Sequence, residues 1–165
     1  MAQRTSYLNT VPDCRDRVRF AILAIIDGVF IVDPTRIRQI YEDFASGRLD
    51  RLSDVIDEKI DFLSHAPADV FPYLGRRRGR VEVLHALSQV HKMLEILSFW
   101  PITTVVNGDQ AALTVVVHVK DRISDKTASF LAAHFLRFRD DRITDYCAII
   151  DSLDAVRQLG EHSDR

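Results

Sequence analysis

The sequence predicts an α+β domain: a cone-shaped, curved antiparallel sheet with helices packed on its concave face. Two observations predict it. Between Pro34 and Leu97 most apolar residues recur at helical spacing, whereas from Ile102 to Ile150 the period drops to two. Polar turns also cut the second region into hairpins, so helices and meander occupy different parts of the chain.

Asp33-Pro34 starts the first helix, because Asp accepts free amide hydrogens and Pro is pre-set for the first helical position. Ile37, Ile40, Tyr41 and Phe44 form its apolar stripe, and Gly47 ends it in the C′ position. A second short helix carries Leu49, Leu52, Val55 and Ile56 on one face. In Glu58 to His65, Ile60 and Phe62 alternate with Lys59 and Asp61, as in a half-buried strand. Residues 66–79, with Pro67, Pro72, Gly75 and Gly79, read as a long loop. A third helix is expected from Arg80 to Leu97, with Leu84, Leu87, His91 and Leu94 along one side. Four strands follow: Ile102–Val106, Ala111–Lys120, Thr127–Arg139 and Ile143–Ile150. Asn107-Gly108-Asp109, residues 121–126 and Asp140-Asp141-Arg142 form the turns between them. Asp151-Ser152 caps a terminal helix through Leu159.

The chain has 165 residues, 47% apolar and 28% charged, which suits one folded domain. Residues 34–165 are expected to form it, after an N-terminal helical arm or extension over 1–33. A net charge of −2 disfavours a nucleic-acid partner, and Arg76-Arg77-Arg78-Gly79-Arg80 has no interleaved aromatics, so it reads as a solvated turn. The most apolar run, Phe20–Val32, is broken by Asp27-Gly28 and is too short to span a membrane. Cys14 and Cys147 are too few for a disulfide framework, so a cytoplasmic location is expected. No glycine-rich phosphate loop and no metal-ligand spacing is present, so neither cofactor nor metal is expected.

Several segments resemble the nuclear-transport-factor-like superfamily, which includes ketosteroid isomerases and SnoaL-type polyketide cyclases. They are Tyr41-Glu-Asp-Phe-Ala-Ser-Gly47-Arg-Leu-Asp50, the pair Gly75 and Gly79 before the long helix, and His134-Phe-Leu-Arg-Phe138 with Ile143 after a polar turn. The resemblance covers about residues 34–155. It implies a pocket between sheet and helices, and a homodimer through the outer sheet face. It does not fix the chemistry, because its members include isomerases, cyclases, epoxide hydrolases, dehydratases and binders. Aligned on Gly47, the ketosteroid isomerase tyrosine position is Ile40, and its base position is Ser64, or His65 if the register slips by one. Aligned on Arg137-Phe138, the oxyanion-binding aspartate position is His134. All three roles are altered, so ketosteroid isomerase activity is not the leading expectation.

On the third meander strand Phe130, Ala132, His134, Leu136 and Phe138 share one face, apolar but for the histidine. An imidazole titrates near neutrality, so His134 is the first candidate acid or base. The family register turns Tyr146, Ala148 and Ile150 to the same pocket, where Tyr146 would donate its phenol hydrogen to an oxygen. Ile40, Phe62, Leu113, Val115, Val117 and Val119 are candidates for the wall, with Phe71 and Trp100 at the mouth; ordinary core packing is the alternative for each and the stronger one for the valines. His118 falls on the outer face. The expected ligand is a small apolar-to-amphipathic molecule. Two readings stay open: a cofactor-independent isomerase, cyclase or hydratase using His134, Tyr146, Ser64 or His65, and a binding or interaction module without chemistry.

Overall fold

The computed structural model describes residues 32–159, so the arm expected over 1–33 lies almost wholly outside them. Helices α1 (Pro34–Ala45) and α2 (Leu49–Val55) lead into strand β1 (Ile56–His65). A short strand β2 (Arg76–Arg78) and helix α3 (Arg80–Met93) follow. Strands β3 (Leu94–Asn107), β4 (Gln110–Asp121), β5 (Thr127–Arg139) and β6 (Arg142–Ile150) form the meander, and α4 (Ser152–Leu159) ends the described chain. The six strands form one sheet in the order β2-β1-β6-β5-β4-β3. The α+β class holds, with one correction to the antiparallel expectation: β1 pairs with β6 in parallel. A parallel pair needs a crossover rather than a hairpin, and the chain between β1 and β6 supplies one through β2, α3 and the three strands β3 to β5.

Local chemistry sets the helices as expected. Asp33 accepts the Thr35 amide hydrogen at 2.8 Å, Pro34 occupies the first turn, and Gly47 takes φ +71°. Asp43, on the other side of α1, is only 6% exposed and receives hydrogen bonds from Arg48 Nε (2.8 Å) and Gln39 Nε2 (3.1 Å). These bonds brace the α1–α2 corner with a paired rather than an orphaned charge. The β5–β6 turn places both Asp140 and Asp141 at positive φ, as a two-residue hairpin of right-handed strands requires.

Strand parity decides what faces the helices. Along β5, Ala128, Phe130, Ala132, His134, Leu136 and Phe138 are buried; along β4 the odd positions from Ala111 to Val119 are. His118 faces outward as expected, its Nε2 lying 3.2 Å from Ser129 Oγ. Three further expectations are corrected. The third helix stops at Met93 rather than Leu97: Leu94 stays buried, but on a strand whose backbone pairs with Asp121, and that pairing overrides helical spacing. Strand β3 therefore begins eight residues before Ile102 and carries register shifts at Ile96/Ser98 and Pro101/Thr103. The arginine cluster is ordered rather than a solvated turn. Arg76 Nη2 binds Asp61 Oδ2 at 3.0 Å, Arg77 donates to the Tyr73 carbonyl, and Arg80 bonds Glu58 and the Ser53 carbonyl.

Candidate functional site

Helices α1, α2 and α3 roof the concave face and leave a cavity of about 140 Å³ between the layers. Ile40, Tyr41 and Phe44 project from α1, and Val83, Leu87 and Val90 from α3. The sheet contributes Phe62 and Ser64 from β1, Phe99 from β3, Val117 and Val119 from β4, Phe130 to Leu136 on alternate β5 positions, and Tyr146, Ala148 and Ile150 from β6. Phe71 and Leu74, from the segment between β1 and β2, complete the wall. Among these described residues only Tyr41, Ser64, His134 and Tyr146 carry polar side chains, and none is a carboxylate or a cation. The volume is close to that of the engineered apolar cavity, about 150 Å³, that holds a benzene molecule.

Tyr41 and Tyr146 meet at His134, which is 3% exposed. Tyr41 Oη lies 2.7 Å from His134 Nδ1, and Tyr146 Oη lies 3.2 Å from the same atom. Register explains the second contact. His134 pairs with Ala148 and Leu136 with Tyr146, so Tyr146 is the diagonal neighbour of His134 across β5 and β6. Tyr41 descends from α1, about one turn before the helix ends at Ala45. Aromatic packing fixes the rings. Tyr41 stacks on Phe99 at 5.4 Å, and Tyr146 on Phe62 at 4.8 Å with the planes within 1°. Ser64 sits in the same cross-strand row as Ala148 and His134, with two strand spacings, roughly 10 Å, between its backbone and that of His134.

Burial controls the charge state. It lowers the His134 pKa from 6.5 to about 3, so the ring is neutral near pH 7, and charging it there would cost about 5 kcal/mol. Burial also raises the phenols of Tyr41 and Tyr146 above their ordinary value, and a charge on Tyr146 would raise Tyr41 further. At neutral pH the site is therefore an uncharged hydrogen-bonding cluster in an apolar wall.

The structure brings together His134, Tyr146, Ser64, Ile40, Phe62, Phe71, Val117, Val119, Ala148 and Ile150 around the cavity. It does not bring His65 or Trp100 there. His65 is exposed, because alternation along β1 turns it away once Ser64 faces in. Trp100 is 42% exposed and lies under the Arg38 guanidinium at 5.3 Å. The irregularity between Ile96 and Ser98 switches the inward parity of β3, so Phe99 lines the cavity in its place. Leu113 and Val115 are buried core below the cavity rather than wall. The residue missed as a polar group is Tyr41, one position beyond Ile40. Its signal was a phenol inside an apolar helical stripe, where a buried hydroxyl needs a partner.

A SnoaL-like domain model matches residues 37–146. No curated protein matches the chain. Among solved structures, a candidate isomerase from Rhodopseudomonas palustris is 26% identical, with TM-score 0.68 over 76% of this chain and 93% of that one. A candidate polyketide cyclase from Streptomyces antibioticus is 20% identical, with TM-score 0.65 over 76% and 96%. An epoxide hydrolase from M. tuberculosis is 11% identical, with TM-score 0.63 over 76% and 86%. The last two likenesses concern the fold alone.

Proposed function

We propose, from the premise that this chain belongs to the SnoaL-like domain family, that it binds a small, largely apolar molecule of about single-ring size carrying one polar function. The observation that supports this reading is the convergence of Tyr41, His134 and Tyr146 on one point of an otherwise apolar cavity. A panel of single-ring compounds is expected to include ligands that raise the melting temperature, by an amount equivalent to about 2.7 kcal/mol at 100 times Kd. Ala148→Leu, which fills the wall beside His134, should abolish the shift while the protein stays folded. A shift that survives Ala148→Leu unchanged would place the binding elsewhere.

A second reading is cofactor-independent chemistry next to a carbonyl: isomerisation, cyclisation or addition of water. The candidate isomerase at 26% identity favours it, as does an imidazole with two phenols within hydrogen-bond reach. The absence of a carboxylate from the described lining, and the cost of charging His134, weigh against proton abstraction as its main task.

We also propose a homodimer through the convex face. Trp100, Val116 and Leu131 form one cross-strand row there, and Ile149 stands on the same side, with Trp100, Leu131 and Ile149 each more than 40% exposed. An apolar row on an open sheet face is suited to the self-complementary contact of a twofold dimer. Light scattering is expected to give a dimer for the wild type and a folded monomer for Leu131→Lys. A wild-type monomer at high micromolar concentration would refute the assignment.

A further inference from the structure

His134 Nδ1 has two phenols within reach and a single site, one lone pair or one hydrogen, to share between them. Imidazole nitrogen is a much better acceptor than a phenol oxygen, and a phenol is the better proton donor. The shorter contact is therefore the Tyr41 O–H donating to Nδ1. Its 2.7 Å length suits an O–H donor, since about 2.9–3.0 Å is usual when N–H donates to oxygen. With Nδ1 accepting, the hydrogen of the neutral ring resides on Nε2.

No described residue pairs with His134 Nε2. Yet the one described side-chain atom both sealed from open space and unpartnered is His91 Nε2, so His134 Nε2 borders open space. The space that His134 lines is the cavity. Tyr146, at 3.2 Å, cannot give its hydrogen to a lone pair already taken, so its O–H is also available to a ligand. Ser64 stands two strands away across the sheet, and the described side chains that touch His134 Nδ1 are Tyr41 and Tyr146. The cluster thus presents two donors side by side, with no cation in the lining to hold an anion.

We infer that His134 acts in this pocket as a neutral hydrogen-bond donor through Nε2, held in that tautomer by Tyr41, and that with Tyr146 it recognises a neutral oxygen acceptor such as a ring carbonyl. Tyr41 is then a positioning residue. The ligand half of this inference rests on the binding reading above; the tautomer half does not. In a catalysed reaction the same arrangement would make His134 the group that polarises the carbonyl rather than the base.

Histidine-labelled protein near pH 7 tests the tautomer directly through two-bond nitrogen–proton NMR spectra. The wild type should show a protonated Nε2 and a bare Nδ1 at His134, and Tyr41→Phe should move the ring toward a mixture of tautomers. A protonated Nδ1 or a doubly protonated ring in the wild type overturns the inference whether or not anything binds. If Tyr41→Phe fails to fold, the wild-type spectrum alone decides. Ligand recognition is tested with cyclopentanone against methylenecyclopentane, its hydrocarbon isostere. The ketone should bind about tenfold or more tightly, since the hydrocarbon leaves two donors unpaired. Tyr146→Phe should narrow that gap without weakening the hydrocarbon. Equal affinities overturn the acceptor half. Binding of neither compound, with the Nε2 pattern intact, refutes the ligand-binding reading and the acceptor half together, and leaves the tautomer assignment standing.

Discussion

His134→Asn should flatten the acid limb of the stability profile. In the folded protein the His134 pKa lies near 3, whereas the free side chain has 6.5. Between those values the unfolded chain holds a proton that the folded chain does not. Stability therefore rises with pH through this window and falls as the solution is acidified. The loss is at most about 1.4 kcal/mol per pH unit, or about 3 kcal/mol at pH 4 relative to pH 7. Carboxylates lose charge over part of the same range, and His91 is lowered too, but these groups are shared by both proteins. Urea denaturation of wild type and variant from pH 7 to pH 4 reads the difference in slope, whatever baseline cost the substitution carries. Parallel profiles would mean that His134 is accessible to protons, which would contradict the neutral cluster.

Phe130→Ala should cost about 3–5 kcal/mol and change the size of molecule the pocket accepts. The Phe130 ring is 6% exposed, lines the cavity and faces Phe71 at 6.1 Å. Its loss removes buried apolar surface and opens room continuous with the existing space. A two-ring ketone, excluded from the wild type by volume, should then stabilise the variant more than it stabilises the wild type. Melting curves with one-ring and two-ring ketones separate the two effects. Destabilisation on this scale, without any gain for the larger ketone, would show that Phe130 is core packing rather than pocket wall.

How much of this was legible in the sequence differs by element. The β5 face, with His134 among Phe130, Ala132, Leu136 and Phe138, could be read directly, because a strand side chain has only two directions and the apolar set chooses between them. Ser64 and Tyr146 came from the family resemblance, and the alternation of their strands agrees with it. Helix α1 was equally clear, from Asp33-Pro34 to Gly47, since its caps and stripe are local chemistry. Trp100 and Phe99 were not separable, because an irregularity in β3 changes parity without any local mark. The start of β3 was hidden for a related reason: Leu94 continues the α3 stripe yet pairs with Asp121, and only the partner strand breaks the tie.

By itself the sequence determined the class of fold, the inward face of β1, β4 and β5 and the presence of one histidine among apolar neighbours. These are consequences of short-range periodicity and capping. The tertiary structure decided the site. The Tyr41–His134 contact joins residues 93 positions apart in the chain, and it depends on how α1 lies across β5. Placing two phenols on one nitrogen, burying the ring away from bulk solvent and keeping it neutral are effects of that packing. Helical spacing could put Tyr41 on a buried face, but only the meeting of helix and sheet supplied its partner.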